Sequence, residues 1–174
     1  MGRRFAERGY GLLYGGATVG AMGALADGAL ASGGEVVGVI PDVIREREID
    51  HKGLTELHVV RTMHERKAML SSRADAFVAL PGGYGTMDEF IEIVTWAQLR
   101  IHAKPCVLVN VNHFYDGLLR FLDHSVREGF IVPENRGLVQ VAEDAETALL
   151  LIEKTWSERE EIPAHDTRLD AVVR

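Results

Sequence analysis

Residues 76–90 read AFVALPGGYGTMDEF, and this stretch is the strongest indication of the fold class. Its first five residues form a continuous apolar run, which is typical of a strand buried on both faces of a parallel sheet. A proline then ends the strand, and Gly82, Gly83 and Gly85 permit a tight turn into a helix that we expect Thr86 to cap. A strand that enters a helix through a glycine-rich turn is the repeating unit of an α/β protein.

The rest of the chain repeats this alternation of apolar runs and segments with helical periodicity. Strands are predicted at 12–14, 36–40, 57–60, 76–80, 105–110 and 138–141, and helices at 19–31, 62–73, 86–99, 114–128 and 144–156. Before them, RRFAERG reads as the last turns of a helix closed by Gly9. The pattern predicts one α/β domain over residues 1–156 with an open, doubly wound, mainly parallel sheet, a charged loop at 41–52 and a polar tail at 157–174.

Composition narrows the class of protein. The chain has 174 residues, of which 47% are hydrophobic and 26% charged, as in an average globular domain. Its 26 acidic and 19 basic residues give a net charge of −7, which argues against general nucleic-acid binding. No apolar run approaches the roughly 18 residues that span a bilayer. The single Cys106, expected to be a small buried hydrophobe, fits a reducing, cytoplasmic setting.

The glycine-rich turn at 81–85 is the candidate ligand site. In doubly wound sheets, ligands bind beyond the carboxyl ends of the strands, where loops lead into helix N-termini. Free backbone N–H groups and the positive end of the helix dipole, worth roughly 0.3 to 2 kcal/mol, favour an anion such as a phosphate. No GK[ST] follows, so this is not a Walker loop. From the residues alone, a strand-to-helix turn without a ligand is an equally good interpretation.

Charged residues flank this turn on two predicted helices. Arg66 and Lys67 in TMHERKAML differ by roughly 100° around a helix, so a solvated basic face is the simpler interpretation of that pair. Glu89 and Glu92 share a helical face, from which we expect Asp88 to turn away. A carboxylate beside a phosphate suits the loss of a leaving group from a sugar, because that step creates positive oxocarbenium character.

MHERK, PGGYGTMDE, TWAQL and KP occur in this order, together with YGG, GGEVVGVIP and EGFIVP. With these motifs, residues 9–141 resemble the LONELY GUY family of cytokinin riboside 5′-monophosphate phosphoribohydrolases, often mislabelled as lysine decarboxylases. The resemblance implies a Rossmann-like fold, hydrolysis of the N-glycosidic bond of a purine nucleoside 5′-monophosphate, of cytokinin or adenosine type, and release of ribose 5-phosphate. It also implies no cofactor, and a homodimer with active sites near the subunit interface.

Carried onto matching positions, the resemblance implies a catalytic pair and a surrounding binding site. Glu89 would stabilise the ribosyl cation and position water, and Arg66 would orient Glu89 and the sugar or assist departure of the base. The residues implied to bind the 5′-phosphate or line the site are Met63, Lys67, Gly82, Gly83, Gly85 and Thr86.

Two departures from the family pattern and two rival functions remain open. Members usually begin with a strand and a Gly-Ser-Ser loop, whereas this chain opens inside the following helix, so we expect a central strand to be missing from the sheet. Arg100 stands where glycine is usual, which affects either the base side of the pocket or only the helix end.

The rival functions are a nucleotide or phosphorylated-cofactor binding protein without catalysis, and a decarboxylase, for which no Schiff-base lysine is marked. The histidines lack metal-binding spacing, so no metal is expected.

Overall fold

Two three-stranded parallel sheets, flanked by helices, make up the computed structural model, which describes residues 1–45 and 51–158. The strands are β1 (Leu12–Tyr14), β2 (Val36–Pro41), β3 (Glu56–Val60), β4 (Phe77–Ala79), β5 (Cys106–Val109) and β6 (Val139–Ala142). The helices are α1 (Gly2–Glu7), α2 (Gly20–Leu30), α3 (Asp42–Arg45), α4 (Met63–Arg73), α5 (Tyr84–Gln98), α6 (Asp116–Arg127), α7 (Pro133–Arg136) and α8 (Ala145–Ser157), with a 3₁₀ turn at Val111–His113.

Strand order divides the molecule into an N-terminal sheet, β1-β2-β3, and a C-terminal sheet, β4-β5-β6. All four strand pairs are parallel, which confirms the predicted α/β class. Among the described residues the strands are divided between two sheets, because β1 pairs with β2 alone and β4 with β5 alone. Residues of β1 and β4 line a common cavity, named here the inter-sheet cavity.

Each sheet has a fully buried middle strand and its own core. Every residue of β2 and of β5 is buried, as their continuous apolar sequences predict. The core of the N-terminal sheet combines Leu12 and Tyr14 with small side chains such as Ala26 and Ala29. Larger side chains, such as Phe90 and Leu108, fill the C-terminal core. Burying a Leu or Phe stabilises the fold by about 1.5–3 kcal/mol, so each sheet carries substantial stabilisation of its own.

Helix α5 begins two residues earlier than predicted. Gly83 is its N-cap residue, and the Met87 amide donates to the Gly83 carbonyl at 3.1 Å. Thr86 therefore lies in the first turn and does not cap the helix. A Cβ on Gly82 would lie 2.1 Å from Thr86 Oγ1, so Gly82 is required for the close approach of the turn to this hydroxyl.

The two ends of the chain match their predictions to different extents. Helix α1 is followed by Gly9 at φ +77°, a left-handed conformation that favours glycine, which confirms the predicted helix end. Of the predicted 41–52 loop, Pro41 completes β2 and α3 follows directly, whereas residues 46–50 lie outside the described ranges. Residues 159–174 also lie outside them, so the boundary between domain and tail stays a prediction. Within residues 1–45 and 51–158, no helix is long and apolar enough to span a membrane.

Candidate active site

Helix α4, which follows β3, carries the basic residues of the site. Its N-cap residue Thr62 accepts a hydrogen bond from the Glu65 amide at 3.1 Å, and Glu65 Oε2 accepts one from the Arg61 amide at 2.8 Å. These reciprocal bonds resemble a capping box, which explains why the helix starts where TMHE occurs. One turn later Arg66 is 9% exposed, and it is the buried residue of α4.

Helix α5, which follows β4, carries the acidic partner. Glu89 Oε1 lies 3.1 Å from Arg66 Nη2 and forms an ion pair with it. The structure thus joins two residues that the sequence separates by 23 positions, one from each sheet's helices. Because the guanidinium is buried, this contact is screened by solvent less than a surface ion pair.

Burial and charge act in opposite directions on Glu89. Desolvation raises the pKa of the Glu89 carboxyl above its usual value, and the positive charges of Arg66 and, to a smaller extent, Lys67 oppose that rise. Desolvation dominates, so this carboxyl is easier to protonate than a surface glutamate. The carboxylate form remains a candidate for stabilising a developing positive charge in the cavity.

Lys67 forms a second link between the same two helices. Its Nζ lies 2.6 Å from Asp88 Oδ2 and 3.2 Å from Glu92 Oε2, and hydrogen bonding, chiefly to Asp88, raises the pKa of the Lys67 ammonium. The prediction that Asp88 turns away from Glu92 is wrong. Residues four apart lie nearly above one another on a helix, so both carboxylates reach the same lysine.

Gly15, at the carboxyl end of β1, makes room for the buried arginine. A Cβ at this position would lie only 2.5 Å from Arg66 Nη2. The motif YGG contains Gly15, but the sequence alone did not assign this glycine to the site. Only the folded chain identifies the atom that this glycine accommodates.

The inter-sheet cavity has a volume of about 400 Å³. Of the predicted site residues, Arg66, Lys67, Thr86 and Glu89 are among its described lining. The others, namely Met63, Gly82, Gly83 and Gly85, are not among that lining.

The start of α5 is nevertheless suited to an anion. Nothing lies within 4 Å of where a Cβ would stand on Gly83 or Gly85, so the backbone there is open to close approach. The first N–H groups of a helix have no acceptor within the helix and are free to bind a ligand. Met63 lies in the first turn of α4 and is 40% exposed.

Two buried polar atoms of the described chain lack a hydrogen-bond partner, namely Tyr14 Oη and Arg66 Nε. Both residues line the inter-sheet cavity. Leaving such a group unsatisfied costs about 1–3 kcal/mol. Across the same described ranges, no three His, Cys, Asp or Glu side chains are grouped so that they could hold a metal ion.

Two other sequence predictions have direct structural outcomes. Cys106 is buried in β5, and burial raises the pKa of its thiol to about 12, as expected for a packing residue. Arg100 adopts φ +61° just after α5, where the Arg100 and Ile101 amides donate to the Ala97 and Trp96 carbonyls. This is a Schellman helix end, in which glycine is usual at the left-handed position. Arg100 therefore belongs to the helix end and is not among the described lining of the cavity.

The fold and the cavity define an α/β protein with a charged cleft at the carboxyl ends of parallel strands. Residues 22–152 match the family model described as "Possible lysine decarboxylase". The chain is 53% identical over 153 residues to the cytokinin riboside 5′-monophosphate phosphoribohydrolase of Rhodococcoides fascians. The aligned region covers 87% of this chain and 77% of the relative. The cytokinin riboside 5′-monophosphate phosphoribohydrolase LOG2 of Arabidopsis thaliana is 42% identical over 173 residues. The aligned region covers 99% of this chain and 78% of the relative. The chain therefore belongs to the LONELY GUY family, which confirms the resemblance.

Solved structures support the fold from a greater evolutionary distance. The molybdenum cofactor carrier protein of Chlamydomonas reinhardtii aligns with a TM-score of 0.67 at 23% identity, covering 90% of this chain and 84% of that one. The molybdenum cofactor binding protein of Rippkaea orientalis has the same TM-score at 22% identity, covering 88% and 82%. At this level of identity the likeness concerns the fold alone.

Proposed function

We propose that this protein hydrolyses the N-glycosidic bond of purine nucleoside 5′-monophosphates, of cytokinin or adenosine type, to the free base and ribose 5-phosphate. The observation that carries the proposal is the buried ion pair of Arg66 with Glu89, 3.1 Å apart in a cavity beside the N-terminus of α5. Family membership supports it, because relatives at 42–53% identity bear the name phosphoribohydrolase.

The nucleotide's 5′-phosphate would bind at the start of α5. Backbone N–H groups at Gly83 and Gly85 are open to close approach, and the helix dipole favours an anion there. Thr86 in the first turn adds a hydroxyl donor, and Gly82 keeps the turn close to that hydroxyl. With the phosphate at this end, the ribose would extend along α5 towards Glu89, one turn further on.

The reaction needs stabilisation of a sugar cation and delivery of water. As the bond between C1′ and the base nitrogen breaks, the base takes the electron pair and positive charge develops on the ribose. The Glu89 carboxylate would stabilise that charge and orient the attacking water. Arg66 would hold Glu89 in place through Nη2.

The decarboxylase activity in the family model's description has less support from the residues of the cavity. Schiff-base chemistry needs a neutral, nucleophilic lysine amine. Lys67 is the one lysine in the described lining of the cavity, and two carboxylates hold it in its charged form. Its pKa is raised, which is opposite to the shift that a nucleophilic lysine requires.

We also propose a cytoplasmic homodimer that contacts its partner through α5. Tyr84, Ile91 and Leu99 recur at seven- and eight-residue intervals, so they lie along one side of the helix, and they are 98%, 40% and 62% exposed. An exposed apolar stripe of this kind is typical of an interface. Since α5 also carries Glu89, a contact here would bring the partner close to the site. The single buried cysteine fits a reducing compartment.

Incubation with adenosine 5′-monophosphate and with isopentenyladenosine 5′-monophosphate, followed by chromatography, tests the activity. We expect free base and ribose 5-phosphate in equal amounts from at least one nucleotide. The matched nucleosides without phosphate should react far more slowly, because they lack the group that the start of α5 binds. Saturable nucleotide binding without release of base would support the alternative of a binding protein and would contradict this proposal.

A further inference from the structure

His51 has no part in the reaction described above, yet its main chain contacts the glycine segment that accommodates Arg66. The His51 amide donates to the Gly16 carbonyl at 3.0 Å. Gly16 has φ +82°, and a Cβ on it would lie 3.2 Å from Leu57 Cδ1, so the backbone is closely packed there. A shift of Gly16 would be passed to the preceding Gly15, which leaves room for Arg66 Nη2.

The side chain of His51 is held at both ring nitrogens. The Gly53 amide donates to Nδ1 at 3.1 Å, and Nε2 lies 3.0 Å from Asp27 Oδ1 on α2. Because Nδ1 accepts a hydrogen bond, the proton of the neutral ring is on Nε2, which donates it to the Asp27 carboxylate. The other neutral tautomer would set a donor against the Gly53 N–H and a lone pair against the carboxylate. One form of the ring therefore satisfies both contacts.

Packing around the ring restricts it further. The His51 side chain is only 11% exposed, whereas its partner Asp27 is 73% exposed. A Cβ on Gly53 would lie 3.2 Å from His51 Cε1, so this glycine leaves room for the ring. A largely buried ring with both nitrogens bonded keeps one orientation, and it fixes the backbone that carries it.

The end of the same segment is anchored without the help of His51. The Thr55 amide donates to the Val36 carbonyl at 2.9 Å, and the Val36 amide donates to Thr55 Oγ1 at 3.0 Å. The entry into β3 is thus tied to β2 whichever residue occupies position 51. We therefore expect changes at His51 to loosen the turn that precedes β3 and to leave the N-terminal sheet folded.

We propose that His51 is a positioning residue for the ion pair of Arg66 with Glu89. Its ring ties the turn before β3 to α2, and the turn holds the His51 amide against the Gly16 carbonyl. That bond keeps Gly15 in place beside Arg66 Nη2. The inference rests on the proposed function, because it assigns His51 an effect on the step that Glu89 carries out. His51 itself is not among the described lining of the cavity.

Three variants separate the two ring contacts. His51→Asn places an amide oxygen near the position of Nδ1, where it can accept from the Gly53 amide as in an Asx turn, but it is too short to reach Asp27. His51→Gln places an amide nitrogen near the position of Nε2, where it can donate to Asp27, but it offers the Gly53 amide no acceptor. His51→Ala loses both contacts.

The measurement is kcat for base release, expressed per folded protein. We expect kcat to fall by about 10- to 100-fold in His51→Ala and by only about three- to tenfold in His51→Asn and His51→Gln, since each of these keeps one contact. KM should change by less than about threefold, because the phosphate would bind at the start of α5, in the other half of the molecule. A wild-type kcat in His51→Ala, or a loss fully explained by a smaller folded fraction, overturns the inference and leaves the proposed hydrolysis intact.

His58→Ala is the matched control. His58 lies in β3 of the same sheet, and its Nε2 is 3.0 Å from Glu56 Oε1, but it does not contact the Gly15–Gly16 segment in the described contacts. Its kcat should stay within about twofold of the unsubstituted protein.

NMR signals of the Arg66 guanidinium give a measurement that does not need turnover. These signals should shift in His51→Ala and stay in place in His58→Ala, because only the first change releases the segment beside Arg66. Unshifted signals in His51→Ala overturn the inference whatever the assay shows. If the unsubstituted protein releases no base, the proposed function fails, and the Arg66 signals alone then decide whether His51 positions the arginine.

Discussion

The N-terminal and C-terminal sheets have the same number of strands and the same parallel order, yet they contribute opposite charges to the site. Helix α4, after the last strand of the N-terminal sheet, carries Arg66 and Lys67. Helix α5, after the first strand of the C-terminal sheet, carries Asp88, Glu89 and Glu92. Each sheet has its own core, so neither needs the other to bury a middle strand. The candidate site therefore exists only where the two halves meet.

A second set of ion pairs, separate from the contact of Arg66 with Glu89, joins the N-terminal and C-terminal halves of the molecule. Arg8 forms ion pairs with Glu153, at 2.7 Å, and with Glu146 on α8. Tyr10 donates to Glu153 at 3.0 Å and packs edge-on against Trp156. These groups are partly exposed, whereas Arg66 is buried. Both sets are ion pairs between arginine and glutamate side chains. Because only Arg66 is buried, we interpret the Arg8 contacts as a structural link and the Arg66 contact as a candidate catalytic one.

The largest expected effect comes from removing the negative charge of Glu89, which lies between the two halves of the molecule. Glu89→Gln keeps the shape of the side chain but cannot stabilise a sugar cation, so kcat should fall by about 10²- to 10⁴-fold. Nucleotide affinity should change by only a few fold. Chromatographic assay of base release and equilibrium binding measure the two quantities. Glu92→Gln is the matched control, because Glu92 contacts Lys67 and not Arg66, and its kcat should fall by less than about tenfold. Comparable losses in both variants would remove the special role of Glu89.

Gly15→Ala alters the N-terminal side of the same contact. Its Cβ would stand 2.5 Å from Arg66 Nη2 and displace a buried guanidinium, so we expect a stability loss of about 1–3 kcal/mol. Turnover should fall by about 10- to 100-fold as the ion pair moves out of position. Gly117→Ala is the control, since it lies in α6 with nothing near its Cβ position and should leave turnover unchanged. Urea unfolding and the base-release assay measure both effects. Normal activity in Gly15→Ala would argue that the position of Arg66 is not critical.

The pH dependence of turnover tests how the charges of the two halves act on Glu89. Because burial raises the pKa of Glu89, turnover that needs its carboxylate should fall on acidification with a midpoint above the usual 4.5. Lys67→Gln should move that midpoint up, because a positive charge that lowers this pKa is lost, and Glu92→Gln should move it down. Profiles of kcat from pH 4 to 8 measure these shifts. Midpoints that move in the opposite directions would exclude Glu89 as the titrating group.

Ionisation of Glu89 also affects stability. A carboxyl whose folded-state pKa is raised binds its proton more tightly when folded, so its contribution favours the native state at low pH. That contribution is lost as pH rises from 4.5 through the raised pKa of Glu89. Glu89→Gln should therefore flatten the dependence of the free energy of unfolding on pH in this window.

The smallest expected effect lies at the end of α5. Arg100 holds φ +61°, which costs a non-glycine residue about 1–2 kcal/mol, so Arg100→Gly should raise the free energy of unfolding by about 0.5–1 kcal/mol once the greater flexibility of glycine in the unfolded chain is included. Turnover should not change, because Arg100 lies outside the described lining of the cavity. Arg120→Gly, in the exposed interior of α6, should instead lower stability by about 1 kcal/mol. Loss of stability in Arg100→Gly would contradict the helix-end interpretation, and altered turnover would favour a role for Arg100 on the base side of the pocket.

Local signals in the sequence predicted most of the secondary structure. The apolar runs at 36–40 and 105–110 became strands buried at every position, and glycines marked the turns that follow strands. The start of α5 was misplaced because the predicted capping threonine lies inside the first turn, and the backbone geometry of Gly83 sets the helix start instead. Residue type alone did not distinguish these two possibilities.

The partners of the charged residues were less accessible to prediction. Arg66 and Lys67 are adjacent and diverge around α4, so the sequence alone favoured a solvated basic face. In the folded chain both contact α5, each with different carboxylates. The family motifs indicated Arg66 with Glu89, but they did not indicate that Asp88 and Glu92 share Lys67, nor that Gly15 makes room for Arg66.

Apolar periodicity, glycine turns and motifs are local properties of the chain, so they were enough to predict the α/β class, the order of the elements, the family and the residue types available for chemistry. The division into two sheets, the cavity between β1 and β4, and the carboxylate that each basic side chain contacts became known only from the folded chain. These outcomes depend on contacts between residues distant in the chain, such as the ion pairs between α4 and α5, which local sequence patterns do not encode.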